Sequence, residues 1–355
     1  MAATLGPLHK PRQVLETDHV HYIAMARDPF GPDPAARTPP YCYRLLAPLL
    51  ASALTRAGLG LNPAFWLVSN LGLVGFLFCA YLLLLARGFP TGSALLGVAL
   101  AGLVPGAVRW YEYQYWMSDP LGLFLLALGL LLVGARRDRA LALLGLPGVA
   151  ARESFLLVYA CLLASRWRRD GLPAALAATA RVAAPGLALL AAIHALAPTS
   201  PAPALAAVVG DALGFRWRHL FDNQLYLASL GAFGVLVPGV LVSPRRALAA
   251  LAERPEDAVL AAGAYASLLL GTNTDRLLAY ALPAALPVAL AALQGVGLTG
   301  RTFAACLVVA QGAFYVLTPF HGIQGLSLYQ PTHWTVVAVM AAVWLVGRAL
   351  ARPRE

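Results

Sequence analysis

Residues 17–22 carry the side chains best suited to acid–base chemistry. They place a carboxylate, Asp18, and two imidazoles, His19 and His21, ahead of the first long apolar run. Asp18 and Tyr22 are four residues apart and would share one face of a helix. A lone carboxylate at such a place suits a general base that takes a proton from a hydroxyl group. Two alternatives are an ordinary solvated helix and a divalent-metal site formed with the histidines.

Three arginines have the residue type for binding an anionic group such as a phosphate. Arg44 begins an amphipathic run whose leucines recur at helical spacing, which predicts a helix lying along an interface. Arg152 is followed by Glu153 within an apolar stretch, and Asp275 precedes Arg276 at the start of another. The alternatives are that Arg44 only extends toward water and that each acidic–basic neighbour pair serves structure. An Arg152–Glu153 pair would then fix the local turn.

Residues 109–120 form a loop rich in aromatic side chains that also contains Glu112 and Asp119. Aromatic faces stack on sugar rings and carboxylates bind sugar hydroxyls, so one hypothesis is a sugar-binding rim. The alternative is a belt of aromatic residues at a membrane interface. Asp119 before Pro120 is also typical of a helix start, as an N-cap with proline in the first turn.

The composition indicates a membrane protein. Of the 355 residues, 60% are hydrophobic and 12% are charged, whereas soluble domains carry about 25% charged residues. The net charge of +10 does not predict nucleic-acid binding, because the only lysine is Lys10 and the arginines concentrate in short loops. The four cysteines have no metal-binding spacing. The alanine, leucine, arginine and proline bias suggests a bacterial source with a GC-rich genome.

The apolar runs predict an all-α polytopic protein of about nine spans. Their predicted positions are 62–86, 91–108, 120–135, 173–196, 225–243, 257–271, 277–298, 302–318 and 334–350. Arginines cluster at 136–139, 166–169, 245–254 and 348–354, which the positive-inside rule places in the cytoplasm.

A contradiction in sidedness predicts a re-entrant hairpin over about 140–165. The clusters at 136–139 and 166–169 are separated by one apolar stretch, and a single crossing would place them on opposite sides. Pro147, Gly148 and then Arg152 and Glu153 interrupt that stretch. We therefore expect two short helices with Arg152 and Glu153 at the tip, where irregular backbone lines a protein cavity.

This topology gives an extracytoplasmic N-terminal segment with interfacial helices at 1–61, a transmembrane domain at 62–350 and a cytoplasmic tail at 351–355. The outer side then holds most of the carboxylates, so any chemistry is expected there. No span precedes residue 61 to carry it across. Either the short tail is translocated or a preceding helix is missing from this sequence.

The layout resembles the GT-C superfamily of integral-membrane glycosyltransferases, of the protein O-mannosyltransferase and aminoarabinose-transferase type. The resemblance rests on Asp18 with Tyr22 and the residues after it, on residues 43–48, on Ser118-Asp119-Pro120, and on Ala151-Arg152-Glu153. Asp275-Arg276 with Pro283 resembles a late span of such proteins. Two departures are the absent first helix and a lone Asp119 where relatives carry an acidic pair.

The resemblance implies a GT-C-like bundle that transfers a sugar, with inversion, from a polyprenyl-phosphate donor to a lipid, glycan or protein acceptor. Asp18 would be the general base. Arg44, Arg152 and Arg276 would bind the lipid phosphate. Substrate would be positioned by Tyr22, Glu112, Asp119, Glu153 and Asp275. The expected location is the bacterial cytoplasmic membrane, with the active face outside.

The absence of Walker A and G-x-G-x-x-G motifs agrees with a membrane-borne donor, since no site for a soluble nucleotide is evident. The sequence indicates no certain cofactor, and a divalent metal is an alternative. Two other function classes stay open: a transporter or flippase of lipid-linked sugars, and a catalytically inactive membrane subunit. Transporters usually show paired halves with broken helices, and only one broken helix and no repeat are evident.

Overall fold

A computed structural model describes residues 18–104, 107–108, 110–197, 229, 232–268, 277–294 and 301–317, together with the single positions 338, 342 and 345. Within these ranges the chain is helical, with turns and no strand, as the periodicity predicts. The predicted site residues Asp275 and Arg276, and nearly all of the predicted span 334–350, lie outside the described residues.

The helices are numbered in chain order. They are α1 (His19–Arg27), α2 (Leu46–Arg56), α3 (Leu61–Ala86), α4 (Thr91–Gly102), α5 (Trp110–Tyr113), α6 (Asp119–Gly134), α7 (Asp138–Ala151), α8 (Leu156–Asp170), α9 (Leu172–Leu196), α10 (Leu236–Val242), α11 (Pro244–Glu253), α12 (Pro255–Ser267), α13 (Leu282–Gln294) and α14 (Arg301–Leu317). Short 3-10 turns at Pro34–Arg37, Tyr41–Tyr43, Glu153–Phe155 and Ala279–Ala281 join them.

Two helices, α3 and α9, are long and apolar enough to cross a membrane. The helices α4, α6, α13 and α14 are apolar but shorter. The 16 residues of α6 extend about 24 Å, against a hydrocarbon core of about 30 Å. The prediction of nine spans is therefore not confirmed, since within the described part of the chain two helices reach the length of a span.

The chain divides into two compact units, one formed by the described parts of 1–79 and 111–205 and the other by those of 80–110 and 206–355. The predicted boundary at residue 61 concerns membrane topology and stays a prediction. Tyr22 and Met25 of α1 belong to the same buried cluster as Phe65 of α3 and Trp116. The described part of the N-terminal segment therefore packs into the core of the first unit.

In the first unit, α7 packs against α6 and α9, and α8 packs against α6 and α9. Where α3 meets α6, Gly72 lies against the backbone of Pro120 and Leu121. A Cβ atom at Gly72 would stand 2.7 Å from the nitrogen of Leu121, closer than packed atoms allow. The contact therefore requires glycine, and it fixes where α6 begins relative to α3.

Two helices, α7 and α8, lie where the hairpin is predicted, and the helical structure is interrupted between them at Arg152. Asp138 at the start of α7 lies 2.5 Å from Arg166 near the end of α8, so the two basic loops are together, as the hairpin requires. Pro147 and Gly148 do not form the break. They lie inside α7, where the absent side chain of Gly148 makes room for the ring of Phe155.

In the second unit, α13 packs against α4, α10, α11 and α12. Arg87 and Asp257 form an ion pair at 2.5 Å with both side chains buried. Arg87 also donates to the carbonyl oxygen of Pro283 at 3.4 Å. The pair therefore links the residue after α3 to the start of α12 and to α13.

Candidate functional site

Asp18 stands immediately before α1, at its N-cap position, but its side chain does not cap the helix. Its Oδ1 accepts a hydrogen bond of 2.8 Å from the hydroxyl of Tyr41. The ring of Tyr41 stacks on His21, with centroids 4.3 Å apart and nearly parallel planes. The half-buried carboxylate is thus held by the turn that follows α1 rather than by the helix backbone.

Tyr22 lies on the same helix but is fully buried. Its hydroxyl oxygen accepts from Nη1 of Arg44 at 3.2 Å and lies 3.2 Å from Oγ of Ser118. Because the oxygen accepts from arginine, the hydroxyl hydrogen is available for Ser118. Tyr22 therefore bridges two chain segments, and its burial leaves no surface for the substrate-positioning role expected of it.

Arg44 is nearly fully buried and makes a two-pronged contact with Glu153. Its Nε donates to Oε2 at 3.0 Å, and its Nη2 donates to Oε1. The two partners differ in exposure, at 7% for the Arg44 side chain and 42% for that of Glu153. The paired arrangement is the strong, planar form of an arginine–carboxylate contact.

Asp119 and Arg152 form a second ion pair, with exposed fractions of 0% and 3%. Asp119 is the first residue of α6, and its side chain is not a helix cap as the Asp-Pro pattern suggested. Arg152 occupies extended backbone between α7 and the 3-10 turn. Arg152 and Glu153 each form an ion pair with a different segment, with Asp119 and Arg44 respectively.

These contacts close into a ring that we call the polar ring. Its members are Tyr22, Arg44, Glu153, Arg152, Asp119 and Ser118. Each contact leads to the next residue, and two steps are peptide links, from Glu153 to Arg152 and from Asp119 to Ser118. Tyr41 connects Asp18 to this ring, since its ring lies edge-on to Tyr22 and below the guanidinium of Arg44. Four chain segments therefore meet at one place.

The polar ring balances its own charge, with two arginines against two carboxylates. Neither guanidinium is available for a phosphate without a change of partner. Removing a carboxylate without replacing it would leave a buried arginine without a counter-charge, which would destabilise the folded protein. The expected phosphate-binding role of Arg44 and Arg152 therefore requires an exchange of anions.

The aromatic loop is not a sugar-binding rim, nor an exposed belt, in its described side chains. Tyr111, Tyr115 and Trp116 are at most 1% exposed. Trp116 donates to Oδ1 of Asn62 at 3.2 Å and lies beside His19. These side chains fill the core beneath α1, because large aromatic surfaces gain most when they leave water.

Glu112 shares this burial, at 5% exposed. Its Oε2 has no hydrogen-bond partner among the described residues. Burial raises the pKa of Glu112 above the usual value for a glutamate, because the charged form loses hydration. A buried carboxyl of this kind does not reach a substrate in this arrangement, so the positioning role expected of Glu112 stays a prediction.

The metal hypothesis at Asp18, His19 and His21 finds no geometric support. His19 is buried against Trp116, while Nδ1 of His21 lies 2.9 Å from the carbonyl oxygen of Ala35. Among the described residues, no three His, Cys, Asp or Glu side chains are grouped to hold a metal ion.

Two members of the site were not assigned a role from the sequence. Ser118 lies in a segment that carried the resemblance and Tyr41 lies two residues before another, but a tyrosine or serine alone gives no signal of its partner. Comparisons with protein-family models, with curated proteins and with solved structures found no match. The functional argument therefore depends on the residues of the site.

Proposed function

We propose that the chain is a GT-C-like membrane glycosyltransferase that moves a sugar from a polyprenyl-phosphate donor to an acceptor hydroxyl on the extracytoplasmic face. The observation that carries the proposal is the half-buried Asp18 carboxylate, held by Tyr41 next to two buried arginine–carboxylate pairs. The two helices long enough to span a membrane support a membrane-borne donor. A multi-pass protein of the bacterial cytoplasmic membrane, with its C-terminus inside, completes the proposal.

In this mechanism, Asp18 takes the proton of the acceptor hydroxyl as that oxygen attacks the anomeric carbon. The bond between the anomeric carbon and the phosphate oxygen breaks, and its electron pair stays on the departing lipid phosphate. Attack opposite the leaving group inverts the anomeric centre. Arg44, with Arg152 as a further candidate, stabilises the negative charge that develops on the phosphate.

Replacement of Asp18 tests the proposal. We expect Asp18→Asn to lower sugar transfer by about a hundredfold or more, because the amide cannot accept the proton. The measurement is transfer of radiolabelled sugar from the lipid-linked pool in isolated membranes. The matched control is Asp28→Asn, since Asp28 is exposed at the other end of α1, and it should retain full activity.

The amide introduced by Asp18→Asn can still accept a hydrogen bond from Tyr41, so the variant is expected to fold and to accumulate like the native protein. Full transfer by membranes that contain the folded Asp18→Asn variant would refute the assignment of the general base.

A further inference from the structure

The Arg44–Glu153 pair is built like an anion site that already contains an anion. A guanidinium presents two parallel N–H groups, and a carboxylate and a phosphate accept them in the same planar geometry. Glu153 fills both positions, through Nε and Nη2 of Arg44. The third contact of Arg44, from Nη1 to the Tyr22 hydroxyl, does not involve Glu153. Arg44 would thus stay in place if Glu153 left.

The exposures show which partner can leave. The Arg44 side chain is 7% exposed, whereas that of Glu153 is 42% exposed. A ligand that arrives from the exposed side meets Glu153 first. When the glutamate leaves, it regains hydration, while the arginine remains desolvated and needs another anion. The exchange is therefore selective for anionic ligands.

The backbone at this point allows the movement. Glu153 lies in the 3-10 turn between α7 and α8, so its displacement breaks neither helix. Its neighbour Arg152 is held by the buried Asp119. The second half of the polar ring can therefore keep its position while Glu153 moves.

We propose that Glu153 is an internal substitute for the phosphate of an isoprenyl-phosphate ligand, and that this phosphate displaces it from Arg44. The choice of an isoprenyl chain rests on the proposed function, while the anion exchange rests on the pair itself. Glu153 then competes with the ligand and weakens its binding. It also keeps the buried Arg44 compensated when the site contains no ligand.

The test is binding of farnesyl phosphate to the purified full-length protein in nanodiscs, with farnesol and inorganic phosphate as comparison probes. We expect Glu153→Gln to bind farnesyl phosphate about tenfold more tightly than the native protein, because the competing charge is removed. Arg44→Gln should bind it at least tenfold more weakly. Farnesol binding should not change in either variant. If inorganic phosphate shows the same gain as farnesyl phosphate, the site takes free phosphate, and the isoprenyl assignment is overturned.

The matched control is Glu256→Gln, because Glu256 also lies beside an arginine, Arg254, at 3.8 Å. It should leave the affinity unchanged. A second measurement uses the native protein: farnesyl phosphate should increase carbodiimide modification of Glu153, detected by mass spectrometry. Unchanged affinity in Glu153→Gln, or unchanged or reduced modification of Glu153, would overturn the proposal.

The proposed function can fail separately. Asp18→Asn should bind farnesyl phosphate like the native protein. If Glu153→Gln gains no affinity while Asp18→Asn abolishes sugar transfer, the exchange is refuted and the enzyme assignment stands. If Glu153→Gln gains affinity but no protein transfers sugar, the anion site stands without the enzyme.

Discussion

Asp119 and Arg152 carry opposite charges into a region that water does not reach. All four charged residues of the two pairs, including Arg44 and Glu153, were identified as candidates from their residue type and position in the sequence. The pairing was not predictable, because the partners are 33 and 109 residues apart and only the packing of α1, α6 and the hairpin brings them together. Sequence patterns therefore identified residues of the site. They proposed ligand-binding roles for several residues that, in the structure, contact one another.

The Asp119–Arg152 pair should show a large effect on stability. We expect Asp119→Asn to destabilise the protein by about 3–5 kcal/mol, since a buried arginine would lose its counter-charge. The control is Asp170→Asn, whose carboxylate is 41% exposed and 3.6 Å from Arg166, with an expected cost of at most about 1 kcal/mol. Denaturant unfolding in detergent measures both. Equal stability of the two variants would contradict a structural role for the buried pair.

At the scale of the helix, an apolar pattern does not determine where a helix is interrupted, as the second unit shows. Residues 225–243 read as one apolar span, but its described part is interrupted before α10 by a turn at 234–235, where Gly234 adopts a φ of +55°. Gln311 of α14 compensates this turn: its Oε1 accepts from the nitrogen of Val235 at 2.7 Å and its Nε2 donates to the carbonyl oxygen of Leu103 at 3.3 Å. Hydrophobicity alone carries no information about such a partner.

Gln311 should therefore be needed for stability although it is a single polar residue in an apolar helix. We expect Gln311→Leu to cost about 1–3 kcal/mol, because the buried Val235 nitrogen loses its acceptor. Gln294→Leu, at an exposed position at the end of α13, is the matched control and should stay within about 0.5 kcal/mol. Thermal unfolding in detergent compares the two, and an equally small effect of both would refute the role of Gln311.

Across the whole molecule, sidedness was the most informative sequence signal. It predicted that the basic loops at each end of the hairpin lie on one side, and Asp138 indeed contacts Arg166. The side of the membrane on which each loop lies stays a prediction. Helix bounds were predicted closely where the helix is fully described, since α3, α6, α9 and α14 each begin and end within one residue of a predicted span.

The sidedness of the hairpin can be tested by labelling. We expect cysteines introduced at Arg137 and Arg168 to react with a membrane-impermeant maleimide only in inverted vesicles, because the proposed topology puts both ends of the hairpin in the cytoplasm. The background is Cys306→Ser, since the other three cysteines, Cys42, Cys79 and Cys161, are buried. A cysteine at the exposed Asp28 is the control for the opposite side. Labelling of positions 137 and 168 from opposite sides would show a single crossing and refute the re-entrant hairpin.

The contact at Gly72 affects where Asp119 and Arg152 lie in the site. The start of α6, which bears Asp119, rests directly on α3 at a point where no methyl group fits. The position of Asp119, and through it that of its partner Arg152, therefore depends on the absence of a side chain at position 72. Gly72 is not a member of the polar ring, yet a larger residue at position 72 would displace the start of α6 and with it the Asp119–Arg152 pair.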